Sequence, residues 1–191
     1  MRDRTGATAA EFGMVLPLLI LLLLGIIDAG RYMWAVNKLE KATQMGARTA
    51  VVTDLIPTGL ATANFGTSLG QGATIPTASF GEASCSSSAC TCSGTCPTLT
   101  PYDAAAFQRI ATRIKLIAPM ISDSNITVVY TNSGLGYAGD PNGPDVAPIV
   151  TVRVSGVPFT PLIFQFFGGQ LAFPTESASL TLEDGAGSTS N

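Results

Sequence analysis

Glu11-Phe12-Gly13-Met14-Val15-Leu16-Pro17-Leu18-Leu19-Ile20-Leu21-Leu22-Leu23-Leu24-Gly25-Ile26-Ile27-Asp28 is an uncharged apolar run bracketed by two acids. Residues 12–27 are 16 in number. At about 1.5 Å per residue they cover about 24 Å of a hydrocarbon core near 30 Å. Residues 7–10 and the turn after Asp28 supply the remainder, which predicts a membrane helix over 7–30. Tyr32 and Trp34 then fall where an aromatic belt sits. Pro17 removes one intrahelical bond, and membrane helices tolerate this where local adjustments satisfy the backbone. Gly25 and Ala29 form a small-xxx-small pair that permits close helix approach. Glu11 is the group to explain, because an ionisable side chain at the edge of such a run is costly and normally has a partner.

Helical periodicity continues beyond the apolar run. Ala35, Val36, Leu39, Ala42, Gly46 and Ala50 recur at three- and four-residue intervals, while Arg31, Lys38, Lys41 and Arg48 fall largely on other faces. This predicts an amphipathic extension over 31–56, with Pro57 and Gly59 marking its end. The Ala42, Gly46, Ala50 stripe allows unusually close packing, against the chain's own domain or against a neighbouring subunit.

Composition narrows the function classes. Of the 191 residues 12% are charged, and the net charge is −3. The mean hydropathy of +0.36 is pulled up by the N-terminal run. Basic residues after Asp54 are scattered, so a nucleic-acid footprint is absent. Residues 57–184 suffice for one soluble domain. Its first part, 57–100, reads as loop, rich in Gly, Ser, Thr and Ala, and holds Cys85, Cys90, Cys92 and Cys96 within 12 residues. An even count in an exported segment implies two disulfides with three conceivable pairings, and pairings that avoid a strained Cys90–Cys92 link are favoured. A metal site is the alternative. It is weakened by the lack of His and of Cys-x2-Cys knuckles.

A second helix is predicted after Thr100-Pro101-Tyr102-Asp103. Thr100 is read as the cap, Pro101 as its first residue, and Phe107, Ile110, Ile114 and Ile117 as its core stripe. Arg109, Arg113 and Lys115 are read as solvated, with a partner-binding face as the alternative. Alternation predicts strands at 126–131 and 150–155, joined by a turn-rich connection, and a last strand near 177–182. Asp140, Asn142 and Asp145 suit turn chemistry better than calcium, since no EF-hand spacing is present. The Phe-rich stretch 158–169 is read as a short helix or wedge covering the sheet, with a peripheral membrane contact or partner site as alternatives. Residues 185–191 are expected to be a flexible tail. The absence of His removes Ser-His and Cys-His nucleophile pairs, and neither a P-loop nor a paired-carboxylate arrangement occurs. No catalysis, no cofactor and no small-molecule substrate are expected.

The wording Gly6-Ala7-Thr8-Ala9-Ala10-Glu11-Phe12, followed by an apolar helix and Asp28-Ala29-Gly30-Arg31, resembles the TadE-like minor pseudopilins of tight-adherence (Flp, type IVc) pilus systems. The resemblance covers roughly residues 6–52. It implies that residues 1–6 are a prepilin-type leader cut after Gly6 by a prepilin peptidase. Ala7 would then be the first mature residue and Glu11 the fifth. It also implies a pilin-like α+β fold: a long N-terminal helix, membrane half plus amphipathic half, packed on a small antiparallel sheet with a second helix and a disulfide-stapled loop. The implied partners are other pseudopilins, the major Flp-type pilin and the inner-membrane assembly platform, besides membrane lipid. The long C-terminal part translocates regardless of flanking charge and carries all the cysteines, so the N-terminus is placed in the cytoplasm and the body in the periplasm. Two other readings of the N-terminus compete, an ordinary signal anchor and a cleaved secretory signal. The second is weakened by periodicity that continues past its cut and by a core longer than the usual 7–15 residues. Two rival functions remain, an unprocessed membrane-anchored scaffold of the secretion machinery and a surface-binding adhesion module built on the cysteine loop and residues 159–167.

Overall fold

The computed structural model describes residues 4–140 and 145–182. The expected leader therefore lies partly, and the expected tail wholly, outside the described residues, as does Asn142. The fold is α+β. Helix α1 (Arg4–Ala50) passes through Pro17. Two short helical turns, α2 (Thr58–Ala61) and α3 (Gly66–Leu69), precede a hairpin of β1 (Glu82–Cys85) and β2 (Cys90–Ser93). Then come α4 (Ala104–Ile117), β3 (Ile126–Thr131), β4 (Ile149–Val154), β5 (Pro158–Phe159), α5 (Leu162–Phe167), β6 (Leu171–Ala172) and β7 (Glu176–Thr181). The chain divides into two compact units, Met1–Asn37 with Pro158–Phe173, and Lys38–Val157 with Pro174–Asn191.

The second unit is built on a five-stranded sheet in the order β2-β1-β3-β4-β7, with every neighbouring pair antiparallel. Strands β3 and β4 pair in the register Ile126↔Val154 to Thr131↔Ile149. Val128, Tyr130, Val150 and Val152 are buried, as period-two alternation requires of a sheet with one covered face. The covering layer is α4 and the last turns of α1. In α4, Ala106, Phe107, Ile110, Ala111 and Ile114 face inward. From α1, Leu39, Ala42, Ala47 and Ala50 are buried. The small residues set the distance: a Cβ on Gly46 would sit 2.6 Å from two atoms of Ile114 and 3.4 Å from Val152.

Helix α1 ends at Ala50, short of the expected 56. The β-branched residues Thr49, Val51, Val52 and Thr53 cluster there, and the Val52 N–H already bonds the Thr49 carbonyl at i−3, the tightening typical of a terminating helix. The cap of α4 is Asp103, whose carboxylate accepts the N–H groups of Ala105 and Ala106. The expected Thr100 cap stands too early, because the Asp103 backbone is still extended. Arg109 and Lys115 are not simply solvated. Arg109 pairs with Asp54 at 2.7 Å, and Lys115 with Asp123 at 2.6 Å. The stretch 57–100 is not all loop, since β1 lies inside the sheet beside β3 and buries Ala83 and Cys85. Disulfides join Cys85 to Cys90, directly opposite one another across the hairpin, and Cys92 to Cys96.

The turn region is held by Asp145. Its carboxylate accepts backbone N–H groups of Phe65 and Asp140. Burial raises the Asp145 pKa, but backbone donors from Gly139, Phe65, Asp140 and Gly66 outweigh it and hold the carboxyl below its usual range. Those oxygens are engaged by main-chain donors 80 and 5 positions earlier in the chain, so Asp145 ties two separate turns together instead of closing a local Asx turn.

Candidate functional site

In the first unit, α1 carries its apolar run in the open. Phe12 is 64% exposed and Leu18 71%, and Met14, Leu22 and Ile26 are similarly uncovered. A soluble chain rarely leaves so large a continuous apolar surface uncovered. Over its exposed length the helix is long and apolar enough to cross a membrane. Glu11 and Phe12 stand exposed at the start of this surface, and Gly6 and Ala7 lie within the helical backbone before them.

The other end of the run is organised around Asp28. This acid is only 7% exposed, although the residues on either side are exposed. Arg31 Nη1 donates to Asp28 Oδ1 at 2.9 Å. The Ile163 N–H donates to Asp28 Oδ2 at 3.1 Å. Helix α5 begins after Pro161, which offers no side-chain cap of its own, so Asp28 supplies the missing acceptor from another element. Next to this bond Ile163 lies 3.8 Å from where a Gly25 Cβ would stand. One turn further on, Tyr32 stacks on Phe173 at 5.2 Å and meets Phe159 edge-on at 5.3 Å. Arg31 lies 5.6 Å over the Phe159 ring, within cation–π range. Strands β5 and β6 pair Pro158 with Ala172 and Phe159 with Leu171, closing the excursion at its base.

The short helix expected at 158–169 thus forms, and its described contacts are with α1 in its own unit. Of the residues singled out for helix packing, Gly25 faces Ile163 of the same chain, and Ala29 lines a small apolar cleft with Asp28, Tyr32 and Phe159. Ala42, Gly46 and Ala50 are all buried in the second unit. Asp28 was visible in sequence only as part of a family pattern. The physical signal available was an acid closing an apolar run with an arginine three residues later, where a helix brings the two together. Nothing in the sequence near Asp28 could point to residue 163.

Among the described residues no group of three or more acids or cysteines is placed to hold a metal. Comparison with curated proteins and with solved structures finds no match to the chain. The N-terminal segment does match: residues 6–48, which hold Glu11, the exposed apolar run and the Asp28–Arg31 pair, fit the family model described as TadE-like protein.

Proposed function

We propose that this chain is a pseudopilin-like structural subunit in tight-adherence pilus assembly. The observation that carries the reading is an exposed, membrane-length apolar surface, headed by Glu11, lying inside the segment that matches the TadE-like family. A single-pass anchor follows from that helix. In this reading the N-terminus is cytoplasmic and the sheet-bearing unit periplasmic. A prepilin peptidase cuts after Gly6. Glu11, about 6 Å further along the helix axis than Ala7, then pairs with the freed Ala7 amine of a neighbouring pilin-like subunit. In a low-dielectric setting this pairing offsets the desolvation of both charges and fixes axial register.

The Ala42, Gly46 and Ala50 face is occupied within the chain's own unit. Other subunits and lipid are therefore left the exposed surface over 12–27. The role is structural, and the partners are other pseudopilins, a major Flp-type pilin and an assembly platform. The test is Glu11→Ala in piliated cells. The variant should insert into the membrane at the normal level and be depleted from sheared pilus fractions. Normal incorporation would refute the pairing role.

A further inference from the structure

We propose that residues 158–173 form a second membrane contact, an interfacial excursion lying in the leaflet where α1 emerges. The inference rests on the reading of α1 as a membrane span, and its experiment separates the two.

The segment holds five of the nine phenylalanines and no Asp, Glu, Lys or Arg, although it sits in sequence between two strands of a sheet with a solvated face. Its depth follows from its contacts with α1. Ile163 sits beside Gly25, two residues or about 3 Å inside the end of the uncharged run, so α5 starts within the membrane-spanning length of α1. The aromatic trio of Tyr32, Phe159 and Phe173 is centred on a residue five positions beyond Ile27, about 8 Å further out, where aromatic rings are enriched at the headgroups.

The backbone is suited to apolar surroundings. A short helix leaves N–H groups unsatisfied at its start, and in lipid these must be answered within the protein. Asp28 answers Ile163 and also the Leu162 N–H. At the other end Gly168 N–H bonds the Phe164 carbonyl. The outward surface remains apolar: Leu171 is 45% exposed, and Pro158 and Ala172 are exposed beside it. Leu171 also lines a cleft of about 230 Å³ with Asp28, Ala29, Tyr32, Phe159 and Pro161. This surface continues the exposed apolar surface of α1, so the occupant it fits is the acyl and glycerol region of lipid.

The experiment uses the full chain in phosphatidylcholine vesicles. The single tryptophan, Trp34, is replaced by Phe, and one reporter is placed at a time: Ile20→Trp, Phe164→Trp, Leu171→Trp or Leu135→Trp. Emission is measured with acyl-brominated lipid and with aqueous iodide. Phe164→Trp and Leu171→Trp should lose about half of their emission or more to brominated lipid and little to iodide, as expected of residues seated about 5–10 Å into the headgroup and acyl boundary. Leu135→Trp should show the reverse. Leu171→Trp lies on the surface, so it serves if Phe164→Trp disturbs packing. Quenching of both reporters by iodide would overturn the proposal. So would quenching by neither, which would mean that protein, such as a second copy, covers the segment. Loss of lipid quenching at Ile20→Trp would overturn the span itself. Lipid quenching at Ile20→Trp without it at 164 and 171 would overturn the interfacial excursion alone.

Discussion

Gly46→Ala should destabilise the second unit, against the preference of an isolated helix. On helix propensity alone the change stabilises by about 1 kcal/mol. The structure supplies the opposing effect. The added Cβ would lie 2.6 Å from Ile114 Cδ1, 2.6 Å from Ile114 Cγ1 and 3.4 Å from Val152 Cγ1. Carbon atoms rest at about 3.5–4.0 Å, so the first two contacts are about 1 Å too close. Ile114 is itself fully buried against the sheet, and its Cγ1 cannot swing aside as a chain terminus could. Overpacking of this kind costs about 1–3 kcal/mol, leaving a net loss of about 1 kcal/mol. The mechanism makes a sharper demand in a second background. Ile114→Ala removes both clashing atoms and leaves a cavity, at a cost of about 2–5 kcal/mol. Adding Gly46→Ala there should recover about 1 kcal/mol, because the methyl partly fills the hole and the propensity gain survives. The sign of one substitution thus inverts, with a coupling of about 2 kcal/mol. Urea unfolding of the full chain in mild detergent, followed by near-ultraviolet circular dichroism, reads all four variants. A stabilising Gly46→Ala in the parent, or the same effect in both backgrounds, would refute the close helix–sheet packing described here.

Tyr130 is fully buried, and its hydroxyl oxygen accepts the Ile56 N–H at 3.3 Å. Tyr130→Phe should cost about 1 kcal/mol, since that N–H is left unsatisfied; an unchanged urea midpoint would count against the bond. Burial pushes the Tyr130 pKa above its usual 10.0. Folding therefore favours the protonated form, so this contribution is whole below about pH 10 and is lost as pH rises beyond it. Stability should fall more steeply above pH 10 in the parent than in Tyr130→Phe, and parallel curves would contradict the assignment. Asp145→Ala should cost about 2 kcal/mol by releasing the main-chain donors of Phe65 and Asp140. Because its folded pKa is depressed, the Asp145 contribution is whole above the usual carboxylate range and is lost below it, as pH falls through the lowered folded value. Proteolytic nicking near residues 65 and 140 should rise with the substitution; unchanged nicking would show that the carboxylate does not hold these turns.

Legibility in the sequence followed the strength of local patterns. The i, i+3, i+4 stripe of α4 and the alternation of β3 and β4 announce their elements because one face of each must be buried, whereas the run of α1 announces itself by being apolar all round over a membrane length. Strand β7 was readable to within a residue, though as an edge strand it buries little. The β1–β2 hairpin was not readable. Glu82-Ala83-Ser84-Cys85 has no β-branched or aromatic residue, and it is a strand because β3 pairs with it and a disulfide spans its turn. The cap of α4 was displaced by one helical turn, since Thr100 and Asp103 are both competent caps and only tertiary context chooses between them. Asp28 shows the limit most clearly. Its acid is plain in the sequence, but its partner at 163 is distant along the chain, and no local periodicity encodes that bond.

The central claim is that Glu11 answers an amino terminus created by cleavage. Intact-mass and N-terminal sequencing of the chain, recovered from both membranes and sheared pili of piliated cells, tests this most directly. A chain beginning at Ala7 is the expected result, and a chain still carrying Met1 to Gly6 in functional pili would contradict it.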